Sequence, residues 1–171
     1  MTALIVIALI ILTVAIAYLL LEKRPGYGIY YGIGKLTGSR LDIGPVDWKT
    51  LTRHATGNDA LVCPAVHCPN AKPDRDPKTY EMPPVDLLAR LRAMARGEPS
   101  VVEQPCEPNC DRTARFIQYT RLMRYPDTID IEVLSAGTNQ STVAIYSRSL
   151  VGSLDFGVNR KRVERWLAAL A

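Results

Sequence analysis

The feature that most constrains this chain is the run Ala3 to Leu21, which contains no charge and has Thr13 and Tyr18 as its only polar-capable members. At about 1.5 Å of rise per residue, a helix over that run just crosses a hydrocarbon core about 30 Å thick. A single membrane span is therefore expected. The competing reading is a cleaved signal peptide, because Ala15-Ile16-Ala17 has the small-x-small form of a cleavage site. Against it, only Met1-Thr2 precedes the run, without the Lys or Arg of a signal n-region, and the run continues past the site to spanning length. Tyr18 and the following Glu22-Lys23-Arg24 suit an interfacial border. The chain of 171 residues then has room for one further domain. The expected organisation is an anchor over 1–24, a juxtamembrane Gly/Tyr-rich linker over 25–57 and an α+β domain over 58–171.

Two rules disagree about orientation. Lys23 and Arg24 follow the span and would leave the domain in the cytoplasm. Four cysteines, in the pairs Cys63/Cys68 and Cys106/Cys110, lie in Pro-rich loops and argue for disulfides in an oxidising compartment. A cytoplasmic domain would instead turn the same thiols toward zinc, with His67 as a fifth ligand, although neither spacing is that of a tight zinc knuckle. A lone loop histidine is more often simply solvated. Three connectivities of four cysteines stay open. The net charge of +4 is modest and dispersed, and no nucleic-acid motif accompanies Arg160-Lys161-Arg162, so a nucleic-acid partner is not expected.

Beyond the anchor, Pro25 to Gly34 holds four Gly and three Tyr and reads as a loop near the headgroups or a plain linker. Gly44 to Arg53 is expected to start a short helix at Pro45, and Asn58 to Pro77 to form a long Pro-punctuated loop stapled by Cys63 and Cys68. Pro83-Pro84 introduces a helix ending near Arg96, with Val85, Leu88, Leu91 or Arg92, and Ala95 as its apolar stripe and Leu87 and Met94 flanking it. Strands are expected over 114–123, 128–134 and 142–149. They put Ile129, Ile131 and Val133 on one face with Val143 and Ile145, and Asp130, Glu132, Tyr146 and Arg148 on the other. Residues 136–140 form the hairpin loop between the last two. A closing helix over 158–170 buries Val163, Trp166, Leu167 and Leu170 and turns Arg160, Arg162 and Arg165 outward. Helix, antiparallel strands and helix make a small sheet packed against two helices.

No catalytic constellation emerges. Ser147 and Ser149 have no imidazole near them in the chain, His54 and His67 lie in the loop-rich half, and no Gly-x-Ser-x-Gly or Cys-x-x-Cys is present. The expectation is no enzyme, no cofactor and no metal site. Arg121, Arg124 and Arg148 are expected to meet on the sheet face opposite the helices. Ordinary cross-strand ion pairing explains such a face, and anion binding by three guanidinium groups is the sharper alternative.

Tyr119 to Asp130, then Tyr146-Ser147-Arg148-Ser149, and Gly152-x-x-Asp155-x-Gly157-Val158-Asn159-Arg160 through Trp166-Leu167, resemble the family called domain of unknown function 1499, over about Asn58 to Leu170. The resemblance implies a bacterial envelope location behind an anchor, which favours disulfides and a periplasmic domain of an inner-membrane, single-pass protein. It carries no catalytic residue, and the Cys106/Cys110 pair departs from it. Asp127, Asp130, Ser147, Gly152, Asp155, Gly157, Asn159 and Arg160 form its signature, read as architectural: positive φ at the glycines, helix capping by Asp155 and Asn159. The expected function is a membrane-anchored, non-catalytic accessory protein whose partners are the bilayer and a larger membrane complex. The alternatives are binding of a small anionic or lipid-like ligand at the arginines, and a cysteine-ligated zinc protein.

Overall fold

The computed structural model describes residues 2–21, 42–53, 56–106, 110–121, 123–152 and 155–170. The Gly/Tyr segment 25–34 and His54 lie outside them. Thr2–Leu21 forms a 20-residue helix, α1, with no polar side of its own. Among the described residues no helix is long and apolar enough to cross a membrane; the side chains of α1 are described without a break only over 3–18.

The remainder is α+β, as expected. Five antiparallel strands, β1 (Asp59–Val62), β2 (Val101–Glu103), β3 (Thr113–Tyr119), β4 (Pro126–Gly137) and β5 (Gln140–Ser149), form one sheet in the order β1-β5-β4-β3-β2. Helices α2 (Pro84–Gly97) and α3 (Val158–Ala169) cover one face. The period-2 pattern of β4 and β5 sets that face: Ile129, Ile131 and Val133 stand opposite Ser147, Ile145 and Val143. Leu87, Leu88, Leu91 and Ala95 of α2 and Val163, Trp166 and Leu167 of α3 close the core over them, with Leu170 just beyond. Val85, expected in the stripe of α2, is exposed, and Leu87 takes its place.

Two strands were not expected, one of them inside the segment read as a Pro-punctuated loop. β1 interrupts the Pro-punctuated stretch and pairs with β5, Ala60 against Ser147 and Leu61 against Tyr146. Pairing with a long neighbour gives a four-residue segment its backbone partners, which local pattern cannot reveal. β2, three residues long, borders β3 at the other edge. β3 itself ends at Tyr119, four residues before the expected end at 123, because the chain turns there: the Thr120 amide donates to the Tyr125 carbonyl and Arg124 adopts φ 60°.

The second face of the sheet is not open. Val46, Trp48 and Leu51, on a strap in which only residues 48–50 make a turn, pack with the Cys63–Cys68 loop over Leu61, Ala144 and Tyr146. Cys63 and Cys68 are bonded to each other. His67, in that loop, is neither solvated nor among thiol ligands: its Nε2 lies 3.1 Å from Glu132 and its ring 5.7 Å from Trp48. Packing of the domain thus begins within the 25–57 segment, well before residue 58.

Candidate functional site

At the C-terminal end of β5 the helix-covered face changes from apolar to polar without losing its periodicity. Ser147 and Ser149 continue the inward row of Val143 and Ile145, and Asp127 precedes Ile129 on the same face of β4. On α3, Asn159 and Arg162 precede Val163, Trp166 and Leu167 at helical spacing, and both are buried. These residues meet. Arg162 donates from Nε to Gln118 Oε1 (2.6 Å), from Nη1 to Ser147 Oγ (2.7 Å) and Asn159 Oδ1 (2.6 Å), and from Nη2 to Asp127 Oδ2 (2.8 Å). Ser149 Oγ donates to the other oxygen of Asp127. Asn159 Nδ2 reaches the Asn58 carbonyl, Ser149 Oγ and Asp155 Oδ2.

The Gly-rich turn serves this network. The Asp155 carboxylate accepts from the Gly157 and Asn159 amides at 2.9 and 3.0 Å, so it closes the start of α3 although Gly157 itself is the cap. Gly157 sits at φ 72°, which a side chain would strain. The carbonyl of Gly152, also at positive φ, accepts from Asn58 Nδ2. Burial disfavours the charged form of Asp155, yet the donations from Asn159 and Gly157 prevail and hold its carboxyl below the usual value of 3.8. Asp155→Ala is expected to destabilise the fold by about 1–2 kcal/mol near neutrality, the ordinary worth of a lost cap. A lowered folded-state pKa contributes stability above the unfolded value, lost as pH falls through the folded one. The gap between wild type and variant in urea unfolding should therefore shrink in acid; a gap that grows would contradict this role.

A cavity of about 880 Å³ opens beside the network, between α3, β2 and the β3–β4 turn. Arg121, Arg124, Lys161, Arg162 and Arg165 contribute to its wall, against the single carboxylate Asp127. Arg124 is almost fully buried, donates to Ser100 Oγ at 2.8 Å and lies over the Tyr119 ring at 4.9 Å. Arg165 is held by Glu98, which also accepts from Trp166 Nε1. Burial opposes the charge on Glu98, but Arg165 and Trp166 prevail and lower its pKa.

Arg148 does not join Arg121 and Arg124. It stands on the other face of the sheet, with Nε on Thr128 Oγ1 and its guanidinium over the Tyr146 ring. The physical reason is the end of β3: Arg121 and Arg124 follow the last paired residue, so the turn carries them round to the α3 side. Asp130 is likewise on the strap side, near Arg115 (3.2 Å) and Arg148 (3.9 Å), and accepts from the Val46 amide. Burial raises its pKa in spite of the two arginines. Arg115 is also paired with Asp42. Further along, Asp59 accepts from Arg53 and from the Tyr146 hydroxyl (2.7 Å). Arg160 is exposed, 3.7 Å from Asp74.

Arg162, expected outward, is the centre of the buried network, and with Gln118, Asn58, Arg115, Asp59 and Tyr146 it was missed. A signal existed for Arg162: it falls on the same i, i+3, i+4 row as Asn159, Val163 and Trp166. Cys106 lies 3.3 Å from Thr113 Oγ1, and Cys110 Sγ donates to the Cys106 carbonyl. Among the described residues, no group of three or more His, Cys, Asp or Glu is placed to hold a metal ion.

In comparison with known proteins, the family described as Protein of unknown function (DUF1499) matches residues 50–170. No curated protein and no solved structure matches.

Proposed function

Because this chain belongs to the DUF1499 family, whose description assigns no activity, we propose its function from its own surfaces: a membrane-tethered, non-catalytic accessory protein of the bacterial cell envelope, with α1 in the inner membrane and the α+β domain on the periplasmic side. The observation that carries the reading is the surface of α1. Leu4, Ile5, Val6, Ile7, Leu9, Ile10, Ile11 and Leu12 are each more than half exposed, and consecutive helical residues point all round the axis. A helix apolar on every side belongs in a protein core or in lipid. The uncharged sequence run Ala3 to Leu21, at about 1.5 Å per residue, supports spanning a hydrocarbon core of about 30 Å.

The bonded pair Cys63–Cys68 supports an oxidising side for the domain and outweighs Lys23 and Arg24, which favour the opposite orientation. The role as a binding rather than a reacting domain is supported by the site: its buried carboxylates and hydroxyls are engaged with Arg162 and Asn159 and hold α3 against the sheet.

The full chain is expected to stay in the membrane pellet through alkaline carbonate, and a chain without residues 2–21 to leave it. Carbonate extraction of the full chain would sink the tether. Alkylation in native membranes, before and after reduction, tests the compartment: Cys63 and Cys68 should react only after reduction, and ready reaction beforehand would return the domain to the cytoplasm. Extraction in mild detergent with a stoichiometric partner would support the accessory role, and recovery of the protein alone would count against it.

A further inference from the structure

We propose that the cavity beside α3 binds a phosphate monoester carried on an apolar body. This inference is independent of the tether, because it rests on the cavity wall alone. Five cationic side chains line the wall against the one lining carboxylate Asp127, and even with Glu98 on Arg165 the cations outnumber these carboxylates. That imbalance favours a doubly charged head over a single carboxylate. Arginine suits the head, since its planar fork matches phosphate oxygens two at a time.

The floor supplies a positioned donor. Arg162 is 3 % exposed, and four of its five N–H groups are matched by Gln118, Ser147, Asn159 and Asp127. The second N–H of Nη2 has no protein acceptor among the described residues, and the residue lines the cavity. Arg124 is fixed nearby by Ser100 and the Tyr119 ring, so neither guanidinium needs much ordering to receive a ligand. At the rim, Lys161 is exposed and makes no ion pair among the described residues.

The rest of the wall asks for an apolar body. Pro99, Val101, Val102, Tyr119 and Val158 line it, and about 880 Å³ is far more than a bare phosphate fills. A free inorganic anion would leave this surface wet, whereas an alkyl or acyl body would cover it.

The test uses the full chain in phosphatidylcholine nanodiscs, titrated calorimetrically with hexyl phosphate, inorganic phosphate and hexanol. Hexyl phosphate is expected to bind saturably, about tenfold or more tighter than inorganic phosphate, with no saturation by hexanol. The exposed rim variant R121A/K161A should weaken hexyl phosphate by about tenfold or more while its thermal unfolding stays that of wild type. Absence of saturable binding, equal binding of inorganic phosphate, or an unchanged Kd in the folded rim variant would each overturn the proposal. Discs containing phosphatidic acid separate the sources: loss of hexyl phosphate binding there identifies a bilayer lipid as the occupant, and retained binding identifies a soluble one. Either result upholds the ligand class.

Discussion

Replacing Arg162 by alanine is expected to destabilise the domain by about 3–5 kcal/mol, the range for breaking a buried ion pair from one side. The reasoning follows the atoms left behind. Asp127 would keep only the Ser149 hydroxyl on one oxygen, while its other oxygen, Ser147 and Asn159 would lose their buried guanidinium partner. Removing the charge on one side only is what makes the loss large, because an uncompensated carboxylate stays behind. Arg162→Lys should recover little of it, since an ammonium cannot serve Gln118, Ser147, Asn159 and Asp127 from one fork. Urea unfolding of the full chain in mild detergent, followed by near-ultraviolet circular dichroism, measures the effect. A lysine variant as stable as wild type would show that the fork geometry is not what holds α3 to the sheet.

Asp59→Ala is expected to cost about 2–3 kcal/mol on the opposite face, less than Arg162→Ala because Arg53 keeps Asp74 as a partner. The Asp59 carboxylate accepts from Nε and Nη2 of Arg53 and from the buried Tyr146 hydroxyl, so it ties the strap to β1 and β5 together. Burial and this carboxylate also push the Tyr146 pKa well up, which keeps the hydroxyl a donor across the physiological range. Tyr146→Phe alone leaves Asp59 still paired with Arg53 and should cost only about 1 kcal/mol. In the double variant the two losses should fall short of additivity by about 0.5–3 kcal/mol, as for residues in one network. Native-state trypsin cleavage after Arg53 supplies a local readout, expected to accelerate in Asp59→Ala and to stay slow in Tyr146→Phe. Equal cleavage in both would mean that the strap is held by Trp48 and Leu51 packing instead.

The two networks explain why the expected arginine face did not form. Residues 121, 124 and 148 were brought together by extending the β3 pattern to residue 123, four positions past the point where the strand ends. Each residue is cationic and near the sheet, but a turn of the chain decides on which side. Arg148 meets Thr128 and Asp130 under the strap, and Arg121 and Arg124 meet α3 across the cavity. The cationic cluster therefore lies at the edge of the sheet and not on its face, where Lys161, Arg162 and Arg165 join Arg121 and Arg124.

The same periodicity that identified the core contained more than was read from it. Continuing Val143 and Ile145 by two residues reaches Ser147, continuing Ile131 and Ile129 backward reaches Asp127, and continuing Trp166 and Val163 backward reaches Arg162 and Asn159. Spacing placed all four on inward rows. Residue type argued for solvent, because an isolated arginine or aspartate is too costly to bury.

What the sequence by itself determined were the local periods: the apolar run of α1, the stripes of α2 and α3, the alternation of β4 and β5, and the turn residues Asp155 and Gly157. These follow from backbone geometry, which repeats every two or 3.6 residues whatever lies across from it. Only the tertiary structure decided that β1 and β2 are strands, that the strap covers the second face, and which polar groups neutralise one another. Arg162 and Asp127 are 35 residues apart and Tyr146 and Asp59 are 87 apart. A charge can be buried only where a partner of opposite sign and matching geometry meets it, and that meeting is set by strand register and helix docking.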